Sequence, residues 1–447
     1  MGFNTCSAPS ELKITDLRFV DICGAPKRCT LLKIMTNQGI CGFGEVRDAA
    51  SKTYALMLKS RILGENPCDV DRIFHKIKQF GGPSRQGGGV SGIEIALWDL
   101  AGKAYGVPLY QMLGGKFRDR IRVYCDTDVE GRHTGHDMGI ALKKRMEMGF
   151  TFLKMDLGIG ILLEEPGTLN APLGFLEEMK RYAPHILNVQ GGSVTADMMK
   201  QRKSYSIVNT AHPFTGIHLT EKGLDYLENY VREVRAVIGY EVPLAIDHFG
   251  HVCVEDCIRF ARRMEPYNLA WMEDMIPWIY TEQYVRLRNS TTVPVCTGED
   301  IYLKEGFEAL IRAGGVSVVH PDILTCGGAL EMKKISDIAD ENGVATAVHM
   351  AESPVACMAA VQTAASMHHV LAVEYHSADV PWWADMIKGT DSPLIEDGFI
   401  RVSEKPGLGF DDLDEEVLKA HLNPDIPGMW EPTEAWNTEF SNDRIWS

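Results

Sequence analysis

Pro243-Leu-Ala-Ile-Asp247, Leu269-Ala-Trp-Met-Glu273 and Pro294-Val-Cys-Thr-Gly-Glu299 are three short apolar runs, each closed by a carboxylate and separated by segments of helical character. Runs this continuous are strands buried on both faces, the texture of parallel βα units. Working outward, the pattern recurs in Arg122-Val-Tyr-Cys-Asp126, Phe152-Leu-Lys-Met-Asp156, Val316-Ser-Val-Val-His-Pro-Asp322, Ala345-Thr-Ala-Val-His349 and Leu371-Ala-Val-Glu374. Eight such runs predict a closed α/β barrel. From Asp247 to Glu374 the run ends are 23 to 27 residues apart, one βα repeat each.

One interval breaks the rhythm: 91 residues separate Asp156 from Asp247. Residues 221–238 supply the usual helix, which leaves an insertion at about 158–216. It leaves the barrel where a strand hands over to its helix, the face that carries active sites, and is expected to border the site as a lid or wall. Before the barrel, residues 12–22, 29–35 and 40–46 read as three antiparallel strands, with Asn37-Gln-Gly39 as a turn. Ser91 and Glu94 read as an S-x-x-E capping box that starts a helix over 91–105. An N-terminal α+β capping domain is therefore expected over 1–118, completed by about 376–421, where a hairpin at 393–402 and a short helix at 412–421 are predicted. The barrel occupies 119–375, and 422–447 form an extended tail.

The chain has 447 residues, with 45 Lys+Arg against 61 Asp+Glu and a net charge of −16. That balance argues against nucleic acid and anionic membrane as partners. No run of about 20 apolar residues is present, and the start has no apolar stretch of signal-peptide length, so a cytoplasmic location is expected. The 11 cysteines include no CxxC pair and read as buried reduced thiols.

If the polar run ends close the barrel strands, their side chains meet at one mouth. Asp247, Glu273 and Glu299 would then repel one another in a partly desolvated pocket unless a cation joined them. An all-oxygen donor set favours Mg²⁺, one per subunit, or Mn²⁺, over Zn²⁺. Lys154 stands ready to offset a carboxylate substrate. His349 and Asp322, on neighbouring strands, are placed as a base and its orienter. Taken singly each has a plainer role, since an Asp or Glu after a strand is commonly a helix cap, and Asp156 could be one.

The segment Ser91-Gly-Ile-Glu-Ile-Ala-Leu-Trp-Asp-Leu-Ala-Gly-Lys-Ala-Tyr-Gly-Val-Pro-Leu-Tyr-Gln-Met-Leu-Gly-Gly115, the strand-end order above and Pro406-Gly-Leu-Gly-Phe410 resemble the enolase superfamily, specifically its mandelate racemase subgroup, over about residues 10 to 420. The resemblance implies a TIM-type (β/α)7β barrel with an N-terminal capping domain and a homo-oligomer, from dimer to octamer. It also implies a Mg²⁺ site at Asp247, Glu273 and Glu299, a base dyad of His349 and Asp322, and Glu374 on a substrate oxygen. Lys154 matches the first Lys of the family's Lys-x-Lys. Asp156 replaces the second, which disfavours a two-base racemase. Some acid-sugar dehydratases of the subgroup carry a His two residues after the first metal ligand. Here the order is Asp247-His248-Phe249, and His248 is expected to face away from the mouth.

The function so implied is a Mg²⁺-dependent acid-sugar dehydratase. His349 takes the proton α to a carboxylate, an ene-diolate forms, and a β-hydroxyl leaves as water to give a 2-keto-3-deoxy acid. His349 can itself return the proton to the leaving hydroxyl if both groups lie on one face; an anti elimination needs a second acid, for which Asp156, Lys154, Tyr205, His212 and His218 are open candidates. Substrate selection is expected from Lys27 and Arg28, from Arg47, and from His212 and His218 of the insertion. The alternatives are a racemase, epimerase or cycloisomerase on the same site, and a non-catalytic sensor of a sugar acid.

Overall fold

The computed structural model describes residues 8–25, 27–127, 132, 134–163, 165–174, 215–247, 250, 252–426 and 428–439. Strands β1 (Ile14–Ile22), β2 (Cys29–Thr36) and β3 (Cys41–Val46) form an antiparallel sheet in sequential order. The helix Gly88–Tyr105 lies directly on β3. Its approach depends on glycine at facing positions. A Cβ on Gly44 would sit 2.1 Å from the Gly92 carbonyl oxygen, and one on Gly92 would sit 2.3 Å from that of Glu45.

Eight parallel strands close the barrel: β4 (Arg120–Cys125), β5 (Leu153–Asp156), β8 (Leu244–Asp247), β9 (Met272–Glu273), β10 (Val295–Thr297), β11 (Val318–Val319), β12 (Ala345–Val348) and β13 (Val370–Tyr375). Closure is direct, with Val373, Glu374 and Tyr375 registered against Val123, Tyr124 and Cys125. Between β5 and β8, the two-residue strands β6 (Leu169–Asn170), inside the insertion, and β7 (His218–Leu219), just after it, pair antiparallel. Residues 175–214 of the insertion, including Tyr205 and His212, lie outside the described residues, as does His248.

The barrel interior is a separate apolar cluster of Tyr124, Phe152, Ala245, Trp271, Cys296, Val318, Ala347 and Ala372, one from each strand or its lead-in. Layered packing of this kind makes the barrel a filled core with its chemistry at one end. The described cysteines are free, and six of them are buried. Among the described residues no helix is long and apolar enough to cross a membrane.

Two local readings change. The helix expected at 91 starts at Gly88, so Ser91 and Glu94 are interior, buried residues and form no capping box for it. Ser91 Oγ accepts the Gly327 N–H, and Glu94 accepts those of Ala329 and Leu330, at the start of the barrel helix Ala329–Glu341. The predicted hairpin at 393–402 contributes a short strand, Phe399–Arg401, which pairs antiparallel with barrel strand β4. Beyond the short helix Glu415–Ala420, the described part of the tail runs along β1: Asn423 donates to Asp21 O at 2.8 Å and Trp430 to Phe19 O at 3.0 Å.

Candidate active site

The barrel strands deliver their last side chains to one buried polar cluster. Lys154, from β5, is 1 % exposed and lies 2.7 Å from Asp247, 2.8 Å from Glu374 and 3.3 Å from Glu273. Burial alone would lower its pKa, but these carboxylates raise it well above the usual lysine value, so the ammonium is fixed. Glu273 is held from three sides. Trp271 Nε1 donates to Oε2 at 2.8 Å, His320 Nδ1 stands 2.5 Å from Oε1, and Lys154 supplies charge. The carboxylate can only accept, so His320 Nδ1 carries the proton. Its Nε2 is then free to accept from the Tyr124 hydroxyl at 2.5 Å. Two aromatic residues of the barrel interior thus aim their polar tips at the site above them.

Three carboxylates, from Asp247, Glu273 and Asp274, offer oxygens that all lie within 4.8 Å of one another. Asp274 has left-handed backbone, φ 46°, and accepts the Thr297 hydroxyl at 2.6 Å. Burial, then Glu299, Asp247 and Glu273, push its carboxyl well above the usual range. Such crowding of anionic oxygens suits a hard divalent cation, and the set contains no sulfur or imidazole donor. Glu299 turns instead toward the base, with Oε2 3.0 Å from His349 Nε2 and Oε1 3.6 Å from Arg47. Against the burial that would raise it, His349 and Arg47 hold Glu299 well below the usual carboxylate range.

On the other side, His349 Nδ1 lies 2.6 Å from Asp322 Oδ2, and an isolated bridge links the two strand ends. Asp322 can only accept, so it fixes Nδ1–H. Burial would lower the His349 pKa, but Glu299, then Glu374 and Asp322, raise it well above the usual histidine range, so Nε2 carries a proton beside Glu299 and becomes the basic nitrogen once that carboxylate is drawn away. Arg47 enters from the end of β3, 1 % exposed, and contacts Asp322, Asp48 at 2.9 Å and Glu352 at 3.4 Å. Burial disfavours its charge, but Asp322, Glu352 and Asp48 more than restore it. Glu374 sits between the two sides, 3.8 Å from His349 Nε2 and 3.1 Å from His376 Nε2.

The other sequence candidates are spread more widely. Asp156 ends β5 in register with Asp247 and is buried. Burial and then Asp156 push neighbouring Asp126 up to about 7. Lys27 Nζ is 3.8 Å from Asp48, whereas Arg28 donates to the carbonyls of Ala49 and Ala50. His218 is more than half exposed, beside Asp256 at 3.2 Å and Cys253 at 3.5 Å. His320, Asp274 and His376 were not anticipated. His320 and His376 each lie two residues from an expected site residue, Asp322 and Glu374, and this period-two spacing was the available signal.

A barrel whose strand ends gather carboxylates, a lysine and a histidine–aspartate pair beneath a small α+β domain defines a class of metal-assisted enzymes. Residues 24–114 match the mandelate racemase / muconate lactonizing enzyme N-terminal domain, and residues 196–417 match the enolase C-terminal domain-like family. A D-xylonate dehydratase of Haloferax volcanii is 31% identical over 401 residues, 88% of this chain and 85% of that protein. A D-galactonate dehydratase of Variovorax paradoxus is 26% identical, covering 92% of this chain and 95% of the relative. The crystal structure of a mandelate racemase/muconate lactonizing enzyme-like protein from Rubrobacter xylanophilus superposes with a TM-score of 0.76 at 28% identity, covering 93% of this chain and 99% of that one. The chain belongs to the mandelate racemase / muconate lactonizing enzyme family of the enolase superfamily.

Proposed function

We propose that the protein is an acid-sugar dehydratase, a hydro-lyase that uses Mg²⁺ and acts on an aldonate of the kind named for its relatives, D-xylonate first. The observation that carries the reading is the His349–Asp322 pair facing Lys154 and Glu374 across a mouth rich in carboxylates. Asp247 and Glu273, with Glu299 or Asp274, would hold the cation. Bound there, it would offset the charge that develops on the substrate carboxylate.

The chain's own residues divide the remaining work. Lys154, kept charged by its three partners, pairs with the substrate carboxylate. His349 Nε2 turns from Glu299 to the α-carbon and takes its proton, while Asp322 holds the ring in the productive tautomer. Glu374 accepts a substrate hydroxyl. Acid–base catalysis contributes only ~10²–10⁴, and enzymes reach at least ~10⁶. The larger share therefore falls to fixed charges such as Lys154 and Arg47 and to the cation. With Asp156 where a second base would stand, the geometry favours elimination over racemisation.

A panel of sugar acids that includes D-xylonate and D-galactonate, incubated with Mg²⁺-loaded protein and assayed for 2-keto-3-deoxy product, tests the reading. Product from at least one acid is expected. Exchange of the α-proton in D₂O without loss of water would replace dehydration by racemisation or epimerisation. Binding with neither exchange nor product would indicate a sensor.

A further inference from the structure

We propose that His376, held by Asp126, is the acid that protonates the departing β-hydroxyl; the assignment rests on the dehydratase reading above. The barrel closure creates this pair. β13 lies beside β4 with Tyr375 registered on Cys125, and Asp126 donates its N–H to Tyr375 O at 3.1 Å. The next side chain on each strand then meets across the seam, with His376 Nδ1 3.4 Å from Asp126 Oδ2. This repeats, on the other flank of Glu374, the relationship of His349 to Asp322. The two imidazoles face one another at 6.0 Å between ring centres, with Glu374 reaching both.

Three observations fit a proton donor better than a packing residue. His376 is 11 % exposed at the side chain, so part of its ring meets solvent, unlike the sealed His320. Its Nε2 is buried and lies 3.1 Å from Glu374 Oε1, yet no group completes a hydrogen bond to it. Asp126 Oδ1 is likewise buried and without such a partner. Two of the competing groups are committed elsewhere: Lys154 to three carboxylates, and His218 to Asp256 and Cys253.

The step balances without a co-reactant. His349 removes the proton from C2, and the electron pair left behind forms the C2–C3 double bond as the C3–O bond breaks. The departing hydroxyl takes the proton from His376 and leaves as water. The enol becomes the 2-keto acid by taking a proton at C3 and releasing the proton of its C2 hydroxyl; His349 gives up the proton it took, and His376 recovers one from solvent.

The experiment uses the full chain with Mg²⁺, the acid from the D-xylonate and D-galactonate panel that wild type dehydrates, and the 3-deoxy-3-fluoro analogue of that acid. Fluoride leaves without a proton, so only the hydroxyl substrate needs an acid. In His376→Gln, dehydration should fall ~10²–10⁴-fold. Deuterium should enter C2 of recovered substrate in D₂O, and fluoride release should stay within about threefold of wild type. Asp126→Asn, a milder change, should show the same selectivity with a smaller loss. Equal losses on both substrates in the two variants, or undiminished dehydration, would overturn the assignment while leaving the dehydratase reading intact. A wild-type chain that dehydrates nothing on the panel would overturn both.

Discussion

Glu94, at the middle of a helix in the N-terminal domain, accepts the backbone N–H of Ala329 at 2.8 Å and so caps a helix of the barrel. Glu45 does the same for the helix Pro354–Ala365, accepting the Ser353 N–H at 3.2 Å and that of Ala356 at 3.4 Å. Two domains are thereby joined through helix ends that border the site.

This cap is pH-sensitive. Burial pushes the Glu94 carboxyl up to about 7, against its hydrogen bonds from Leu330 and Ala329. A carboxyl raised in the folded state keeps a proton that the unfolded chain has lost. Stability is therefore highest below the ordinary Glu range and falls as pH rises toward 7. Glu94→Gln cannot titrate. Urea unfolding at pH 5 and pH 7.5 should show wild type losing ~1–3 kcal/mol more than the variant across that interval. A pH-independent difference would exclude Glu94 as the source.

His349→Asn should abolish both turnover and α-proton exchange, a loss of ~10³-fold or more, while Mg²⁺ affinity measured by calorimetry changes little. Retained exchange, read by NMR in D₂O, would move the base elsewhere.

The third cation ligand can be identified by comparison. Glu273→Gln should weaken Mg²⁺ binding at least ~10-fold. Glu299→Gln should weaken it more than Asp274→Asn, because Glu299 can swing from His349, whereas Asp274 is tied to Thr297. Calorimetry giving the reverse order would assign the ligand set to Asp247, Glu273 and Asp274, as they converge here.

Arg47→Ala should destabilise the fold by ~3–5 kcal/mol, since it removes the guanidinium shared by three buried carboxylates, leaving Glu352 without a cation, Asp322 with His349 alone, and Asp48 with Lys27 and Arg85. A guanidinium chloride titration reads this directly. Arg47→Lys should recover only part, because one ammonium cannot replace a planar fork reaching several carboxylates.

The barrel was legible because its strands are hydrophobic on both faces and each ends in a polar group, a pattern set by local burial. The places of Lys154, Asp322 and His349 at the ends of those strands were legible for the same reason. Glu94 was not, because a Ser-x-x-Glu spacing is identical whether the glutamate caps its own helix or one 235 residues away. Asp274 was hidden by following Glu273, since alternation assigns consecutive residues to opposite sides until a left-handed turn intervenes. The Asp126–His376 proximity depends on the first and last strands meeting, which no local periodicity encodes.

The tail along β1 has a further consequence. Val20 and Ile22 form bridges to Met429 and Leu422, and Thr433 reaches the Leu17 carbonyl at 2.6 Å. Without those residues, β1 would present a bare row of main-chain donors and acceptors on its outer side. The final stretch of chain therefore acts as a selvedge, finishing a cloth that would otherwise fray into contact with other copies of itself.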